Sequence, residues 1–284
     1  MTEDSPQGLA AMVEERVRRS GSSFYWAMRL MREAQRQAMY AVYAFCREID
    51  DIADEPGDTG EKLQQLAQWR RAIDALYTGQ RPSFALARAL MPAIKDFHLE
   101  QQDFLAVVDG CAMDVGAGLV RPDMATLDLY CDRVACAVGR LSVRIFGDFV
   151  PAAIDVANHQ GRALQLTNIL RDVWVDAQIG RLYLPDELLS AHGIDERDPL
   201  LVLAHPRTSA ACRDLANIAR GHYAETQAAM QLCPSSAMRP ARIMLDSYHA
   251  IFRRGEALGW QPTPRLIRVP KLEKIWYLLR HSLF

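Results

Sequence analysis

Two pairs of aspartates in the sequence have the spacing of side chains that share one face of a helix. Asp50 and Asp54 lie in the stretch "YAVYAFCREIDDIAD", and Asp172 and Asp176 lie in "LQLTNILRDVWVD". Because an α-helix has about 3.6 residues per turn, side chains four positions apart point in nearly the same direction. Each stretch therefore predicts a helix that presents two carboxylates on one side.

Both pairs of aspartates are flanked by large apolar residues. Phe45 and Ile49 adjoin the first pair, and Leu170 and Trp174 adjoin the second. Carboxylates in such surroundings lose hydration and repel each other unless a cation neutralises them. A solvated helix face with stabilising ion pairs is the alternative interpretation of either stretch taken alone.

Magnesium suits these carboxylates, because it prefers hard oxygen ligands and commonly combines a few carboxylates with the phosphate oxygens of a substrate. Zinc, which prefers histidine and cysteine ligands, fits a set of aspartates less well. Two facing acidic helices with Mg²⁺ between them would hold a diphosphate and promote its departure. The predicted chemistry is ionisation of a diphosphate ester to leave a carbocation.

Other residues near these stretches fit the same chemistry. Arg47 and Arg171 each stand within one turn of an aspartate and are suited to bidentate contact with phosphate. The stretch "SGSSF" (20–24) offers donors at the start of a predicted helix, where anions bind favourably, although it also fits a plain helix cap. Aromatic rings that could face a carbocation, or simply fill the core, are those of Phe24, Tyr40, Tyr43, Tyr130 and Tyr183.

Helices must position these residues, because strong helix formers dominate and alternating strand patterns are nearly absent. Apolar residues recur at helical spacing, as at Leu66, Trp69 and Ile73. The predicted breaks, rich in glycine, proline, serine or threonine, are at 55–60, 78–83, 115–123, 146–151, 179–185, 204–209, 233–240 and 258–264. The sequence thus predicts an all-α fold.

The 284 residues are predicted to form one domain, 1–284, since no break has the length of an interdomain linker. Residues 1–19 are expected to be a peripheral N-terminal arm. Half the residues are hydrophobic and 24% are charged, which indicates a folded, water-soluble protein, and a net charge of -2 gives no reason to expect nucleic-acid binding.

Six cysteines without a CxxC pair are expected to be reduced thiols. The N-terminus lacks the apolar segment of a signal peptide, and no apolar run reaches the ~18 residues of a membrane span. We therefore expect a cytoplasmic protein, with peripheral contact at the inner face of a membrane as a further possibility. The C-terminal stretch "KLEKIWYLLRHSLF" (271–284) suits either an interfacial anchor or a helix that closes the bundle.

The two acidic stretches together resemble the aspartate-rich signatures of the squalene/phytoene synthase family of head-to-head isoprenoid synthases. The resemblance extends over almost the whole chain, through "SGSSFYWAMRLM", "YCDRVACAVGRL" and "YHAIFRRG". Within the family, the chain is most similar to the bacterial hopanoid-pathway enzymes that make presqualene diphosphate.

This resemblance implies an isoprenoid synthase fold, a single helical bundle around a central apolar cavity. The implied reaction joins two farnesyl diphosphates 1′ to 1 and releases diphosphate, giving presqualene diphosphate. It implies two or three Mg²⁺ ions bound with the diphosphate and no NADPH for this first half-reaction. Functional coupling to downstream isoprenoid enzymes is also expected.

The resemblance also implies roles for individual residues. Tyr130 would steer the carbocation and the loss of a proton, while Tyr40 and Tyr43 would be wall residues. The implied magnesium ligands are Asp50, Asp54, Asp172, Asp176 and Asn168. The implied contacts to substrate or to metal-bound water are Ser20, Ser22, Phe24, Tyr43, Arg47, Gln165, Asn168, Arg171, Tyr183 and Tyr248.

One position departs from the family pattern. The second signature commonly reads D-x-x-E-D, and Val175 stands where the glutamate would be. Trp174 and Val175 are expected to point away from the cavity, into packing. Phytoene, dehydrosqualene, squalene and hydroxysqualene synthases remain alternatives within the family, and a non-catalytic scaffold is disfavoured because such proteins are expected to lose aspartates that are present here.

Overall fold

The computed structural model describes residues 5–19, 24–116, 118–264, 267 and 270, without the side chains of Pro6, Phe24, Trp26 and Ala27. Its α-helices are α1 (Pro6–Arg19), α2 (Phe24–Arg29), α3 (Glu33–Asp54), α4 (Thr59–Tyr77), α5 (Ala85–Phe97), α6 (Gln101–Ala112), α7 (Met124–Cys131), α8 (Ala137–Ile145), α9 (Ala152–Gln178), α10 (Asp186–Ala191), α11 (Pro199–Ala204), α12 (Thr208–Gln231) and α13 (Arg239–Ala257). A π-helical turn, Asp132–Cys136, joins α7 to α8. The described ranges contain no strand, only an isolated parallel bridge between Val120 and Leu182, so the all-α prediction is confirmed.

The predicted breaks lie between helices, and the last one follows α13. Breaks at 30–32, 98–100 and 192–198 were not predicted. His98 ends α5 with a φ of 50°, a left-handed conformation that usually requires glycine or asparagine and that the sequence therefore does not signal. Pro92 lies inside α5 without ending it.

The two acidic stretches form α3 and α9, which extend over 22 and 27 residues. The helix α3 ends at Asp54 because Pro56 forces Glu55 into an extended conformation, with φ -63° and ψ 145°. In α9, Leu166, Leu170 and Val173 are buried, as the helical projection predicts. Each acidic helix is therefore fixed by its apolar side.

The helix α9 lies very close to the π-helical turn because Gly161 has no side chain. A Cβ atom at this position would lie 2.7 Å from the backbone nitrogen and Cα of Cys136. A second close approach occurs at Gly139 of α8, where a Cβ would lie 3.0 Å from the backbone oxygen of Ala157. These contacts fix the position of α9 relative to Tyr130, which lies in α7 two residues before the π-helical turn.

The N-terminal segment is more closely integrated than the expected peripheral arm. Residues Pro6–Arg19 form α1, which packs against α3 and α5. Val13 and Val17 are buried in the same hydrophobic core as the acidic helices, because they lie four positions apart on one face of α1. The helix is thus part of the bundle.

No helix in the described part of the chain has the length and apolarity needed to cross a membrane. All six cysteines are unpaired, and five of them are buried, as expected of reduced thiols. The proposed C-terminal anchor, residues 271–284, lies outside the described residues.

We expect Gly161→Ala to lower the free energy of unfolding by about 1–3 kcal/mol, because the new methyl group collides with backbone atoms that cannot move independently. Thermal unfolding of the purified protein measures this change. The matched control is Gly221→Ala in α12, where a Cβ would meet nothing within 4 Å. That variant should be unchanged or more stable by up to about 1 kcal/mol. Equal stability of the two variants would contradict the close helix packing.

Candidate active site

Both pairs of aspartates line one cavity of about 530 Å³, with α3 on one side and α9 on the other. Asp50, Asp54, Asp172 and Asp176 are all part of its lining. Six more residues predicted from the sequence share that lining: Arg47, Tyr130, Gln165, Asn168, Arg171 and Tyr183. Aspartates that lie 122 positions apart in the chain (172 − 50 and 176 − 54) are therefore brought to one site.

On the α3 side, the two carboxylates have different surroundings. The Asp54 side chain is 63% exposed, in the last turn of α3. Asp50 is more enclosed, and the Cys111 thiol donates to its Oδ1 at 3.3 Å. Burial, opposed by that hydrogen bond and reinforced by the charge of Asp54, raises the pKa of Asp50 to about 6.

On the α9 side, the two carboxylates also differ. Arg171 donates to Asp172 through Nε at 2.8 Å, so this carboxylate has a cationic partner. Asp176 is less well compensated. Burial and the charge of Asp172 raise the pKa of Asp176 to about 7, although Arg181 opposes the shift. The site therefore holds more carboxylate charge than its own arginines neutralise.

Arg181 lines the cavity but was missed in the sequence. Gly180 has a φ of 81° after the end of α9 and turns the chain back, so that the Arg181 amide donates to the Asp176 carbonyl at 2.9 Å. The Arg181 side chain then donates to Asp54 Oδ1 at 3.0 Å and to the Asp114 carbonyl at 3.1 Å. It links the end of α9 to α3. The only signal in the sequence was a basic residue directly after a helix-ending glycine.

Asp114 is a second charged residue of the cavity that the sequence did not reveal. It lies just after α6, and it is 8% exposed. Tyr130 Oη donates to its Oδ2 at 2.7 Å, and Tyr183 Oη donates to its Oδ1 at 2.6 Å. Both tyrosines were predicted site residues, and their rings stack with centroids 5.2 Å apart.

The donor set fits magnesium held jointly with phosphate. The side-chain oxygen of Asn168 is buried and has no hydrogen-bond partner among the described residues. An unpaired buried amide oxygen of this kind is suited to accept a cation as its partner. Within the described ranges, no three aspartate, glutamate, histidine or cysteine side chains converge on a point where they could hold a metal ion. Carboxylate pairs completed by phosphate oxygens and water are the usual arrangement for Mg²⁺.

The other predicted residues have varied positions. Arg47 pairs with Asp51 at 2.7 Å beside the cavity, and Tyr248 lies next to Arg171. Tyr40 is fully buried, and Tyr43 is half-buried, and neither lines the cavity. Ser20 and Ser22 lie outside the described residues, while Phe24 begins α2 with its side chain outside the description.

The expectation that Val175 is packed was wrong. Its side chain is 40% exposed and does not line the cavity. The reason is its position on α9, about 100° round the helix from Asp176, near an end where Gln178 and Ile179 are also exposed. Trp174 is partly buried.

Comparison with known proteins gives the family. The squalene/phytoene synthase model matches residues 17–275, which is most of the chain and includes both acidic helices. The chain belongs to the squalene/phytoene synthase family.

Two members of this family are similar over nearly their full length. The presqualene diphosphate synthase of Zymomonas mobilis is 48% identical over 260 residues, which cover 91% of this chain and 88% of that protein. The presqualene diphosphate synthase of Rhodopseudomonas palustris is 46% identical, covering 93% and 94%. Among solved structures, a dehydrosqualene synthase in complex with ligand superposes with a TM-score of 0.85 at 25% identity, covering 98% of this chain and 96% of that one. The fold of this squalene/phytoene synthase family member is therefore the all-α isoprenoid synthase fold.

The raised pKa of Asp176 predicts how the metal-free protein responds to pH. The native state keeps this proton up to about pH 7, whereas an unfolded aspartate loses it near pH 4, so stability falls as pH rises between these values. We expect Asp176→Asn, in EDTA, to melt at least about 4 °C higher than wild type at pH 8, and the difference at pH 4.5 to be less than half as large. The control is Asp96→Asn, an exposed aspartate of α5, which should shift neither. An Asp176→Asn protein less stable than wild type at pH 8 would show that the repulsion is absent.

Proposed function

We propose that this chain condenses two molecules of farnesyl diphosphate, 1′ to 1, into presqualene diphosphate with release of one diphosphate. The observation that carries the proposal is the cavity between α3 and α9, where two aspartate pairs stand beside Arg47, Arg171 and Arg181. Carboxylates and guanidinium groups together suit a magnesium diphosphate, which presents both cation and anion. The similarity to two presqualene diphosphate synthases supports the choice of substrate and product.

Two or three Mg²⁺ ions, bound together with diphosphate, would be held by Asp50, Asp54, Asp172, Asp176 and the orphaned oxygen of Asn168. When bound, they would neutralise the charge that develops on the departing diphosphate. We expect the reaction to proceed without NADPH, because condensation to presqualene diphosphate involves no reduction.

The chain's own residues would perform the remaining tasks. Arg171 and Arg181, now paired with Asp172 and Asp54, would turn toward phosphate oxygens as these carboxylates acquire metal ions. Gln165 would add a polar contact, and Ser20, Ser22, Phe24 and Tyr248 keep their proposed contacts to substrate. The apolar lining from Ala53, Val134 and Ile169 would keep water from the carbocation.

The physical properties of the substrate and product extend this proposal. Both carry long apolar chains, so peripheral contact with the inner face of a membrane, and transfer to a downstream isoprenoid enzyme, are part of it. Neither needs a membrane-spanning segment.

The decisive experiment incubates the purified protein with farnesyl diphosphate and Mg²⁺, without NADPH, and identifies products by mass spectrometry. We expect presqualene diphosphate and one inorganic diphosphate for each molecule formed. Geranylgeranyl diphosphate is run in parallel and should turn over at least about ten-fold less efficiently, because its extra carbons must fit the same apolar lining. A C40 product as the main outcome would instead make the chain a phytoene synthase.

Substitutions at two adjacent positions of α9 should separate the ligand from its neighbour. We expect Asp176→Asn to lower kcat/KM at least about a hundred-fold, because it removes a carboxylate at the diphosphate. Val175→Glu should stay within about three-fold of wild type with a mildly altered Mg²⁺ dependence, since this position is exposed and outside the cavity lining. Steady-state kinetics across a Mg²⁺ titration measures both. An active Asp176→Asn protein or an inert Val175→Glu protein would refute the assignment of the second pair.

A further inference from the structure

Asp114 is a buried carboxylate whose partners are two tyrosine hydroxyls. Tyr130 Oη and Tyr183 Oη each donate to a different oxygen of Asp114, at 2.7 and 2.6 Å. All three side chains line the cavity, and each is at most 8% exposed. Among the described residues, the hydrogen bonds to this carboxylate come from two tyrosines and not from a proposed magnesium ligand, so its role differs from theirs.

The direction of these hydrogen bonds fixes what the tyrosines can offer to a substrate. Each hydroxyl proton is committed to Asp114, so each phenol oxygen has only lone pairs left for the cavity. Asp114 accepts at both oxygens, which is the arrangement of an ionised carboxylate. Burial raises its pKa, and the two tyrosine hydroxyls lower it in opposition.

Neighbouring contacts restrict the positions of Asp114, Tyr130 and Tyr183. Arg181 Nη2 donates to the Asp114 carbonyl at 3.1 Å, and Tyr130 lies two residues before the π-helical turn. The stacked rings of Tyr130 and Tyr183, inclined by 24°, restrict each other. Departures from regular helix such as a π-helical turn frequently occur at functional sites, where they redirect side chains.

We propose that Asp114 is the positioning residue that makes Tyr130 a proton acceptor and that receives, through Tyr130, the proton lost when the cyclopropane ring closes. This inference rests on the proposed function, because the proton in question is the one lost from carbon when that reaction closes the cyclopropane ring. Asp114 also aligns the Tyr183 ring beside the path of the carbocation.

The step balances in atoms and charge. After the double bond of the second farnesyl group has attacked, a tertiary carbocation remains, and the former C1 methylene of the ionised group carries the proton to be lost. The electron pair of that C–H bond forms the carbon–carbon bond that closes the ring and quenches the cation. The proton passes to Tyr130 Oη as the hydroxyl proton of Tyr130 passes to Asp114 Oδ2. Asp114 later returns the proton to solvent.

A ratio of products tests this inference more directly than a rate. The full-length protein is incubated with farnesyl diphosphate and Mg²⁺, and the presqualene diphosphate formed is divided by the inorganic diphosphate released. Asp114→Asn keeps the size of the side chain but cannot take the proton as a carboxylate does. We expect this ratio to fall at least about ten-fold, with farnesol as the by-product, because ionisation continues while general-base catalysis is lost.

Farnesyl diphosphate deuterated at C1 provides a second readout. It should lower the ratio further in Asp114→Asn than in wild type, because transfer of that proton becomes the slow step. Tyr130→Phe retains the ring and removes the accepting oxygen, so it should lower the ratio in the same way. It also decides the question if the Asp114→Asn protein fails to fold.

Two control variants remove the same chemical groups elsewhere. Asp109→Asn lies in α6 and pairs with Arg70, and Tyr77→Phe loses a hydroxyl that donates to the Leu99 carbonyl at 2.6 Å. Both should keep the wild-type ratio. An unchanged ratio in Asp114→Asn and Tyr130→Phe, beside a normal wild type, would overturn this inference alone and leave the departing diphosphate as the base. A wild type that forms no presqualene diphosphate would overturn the proposed function and this inference with it.

Discussion

Repulsion among carboxylates that share one cavity is the interaction on which this site depends. It raises the pKa of Asp50 and of Asp176, in each case as an addition to the effect of burial. Arg171 and Arg181 compensate part of the charge through Asp172 and Asp54. The remaining carboxylate charge is not neutralised by the arginines, and a cation bound together with diphosphate would neutralise it. Substrate and metal would therefore bind together, since neither alone balances the arginines and carboxylates of the cavity.

Carboxylates that repel each other stay close together only if the helices that carry them cannot move apart. The carboxylates cannot separate, because α3 and α9 are each fixed by buried apolar residues on their other sides. Gly161 permits contact between α9 and the π-helical turn at a distance that any side chain would prevent. The free energy that this packing contributes offsets the electrostatic cost of the cavity. Substitutions in the packing and in the cavity should thus act on stability with opposite signs.

Helical periodicity was enough to predict the parts of the site that lie within long helices. The pairs of α3 and α9, together with Arg47, Gln165, Asn168 and Arg171, reach one cavity because spacing along a helix determines the face. Periodicity gives no information where the chain is irregular. Asp114 and Arg181 owe their positions to the turn at Gly180 and to the bridge between Val120 and Leu182, which join distant segments. For Val175, the projection correctly placed the side chain away from Asp176, but which side of α9 meets solvent depends on the neighbouring helices.

The cavity contains two kinds of carboxylate, which differ in their partners and are suited to different steps of the proposed reaction. Carboxylates that repel one another, as the pairs of α3 and α9 do, would attract metal ions and so act on the leaving group of the proposed reaction. Asp114 instead faces two phenols that supply hydrogen bonds without positive charge. A cation bound at Asp114 would remove its capacity to accept a proton, whereas hydrogen bonds from tyrosine preserve it. Ionisation and proton loss have opposite electrostatic requirements, and one cavity can serve both only if its carboxylates differ in their partners. The tyrosine pair is the feature that keeps Asp114 distinct.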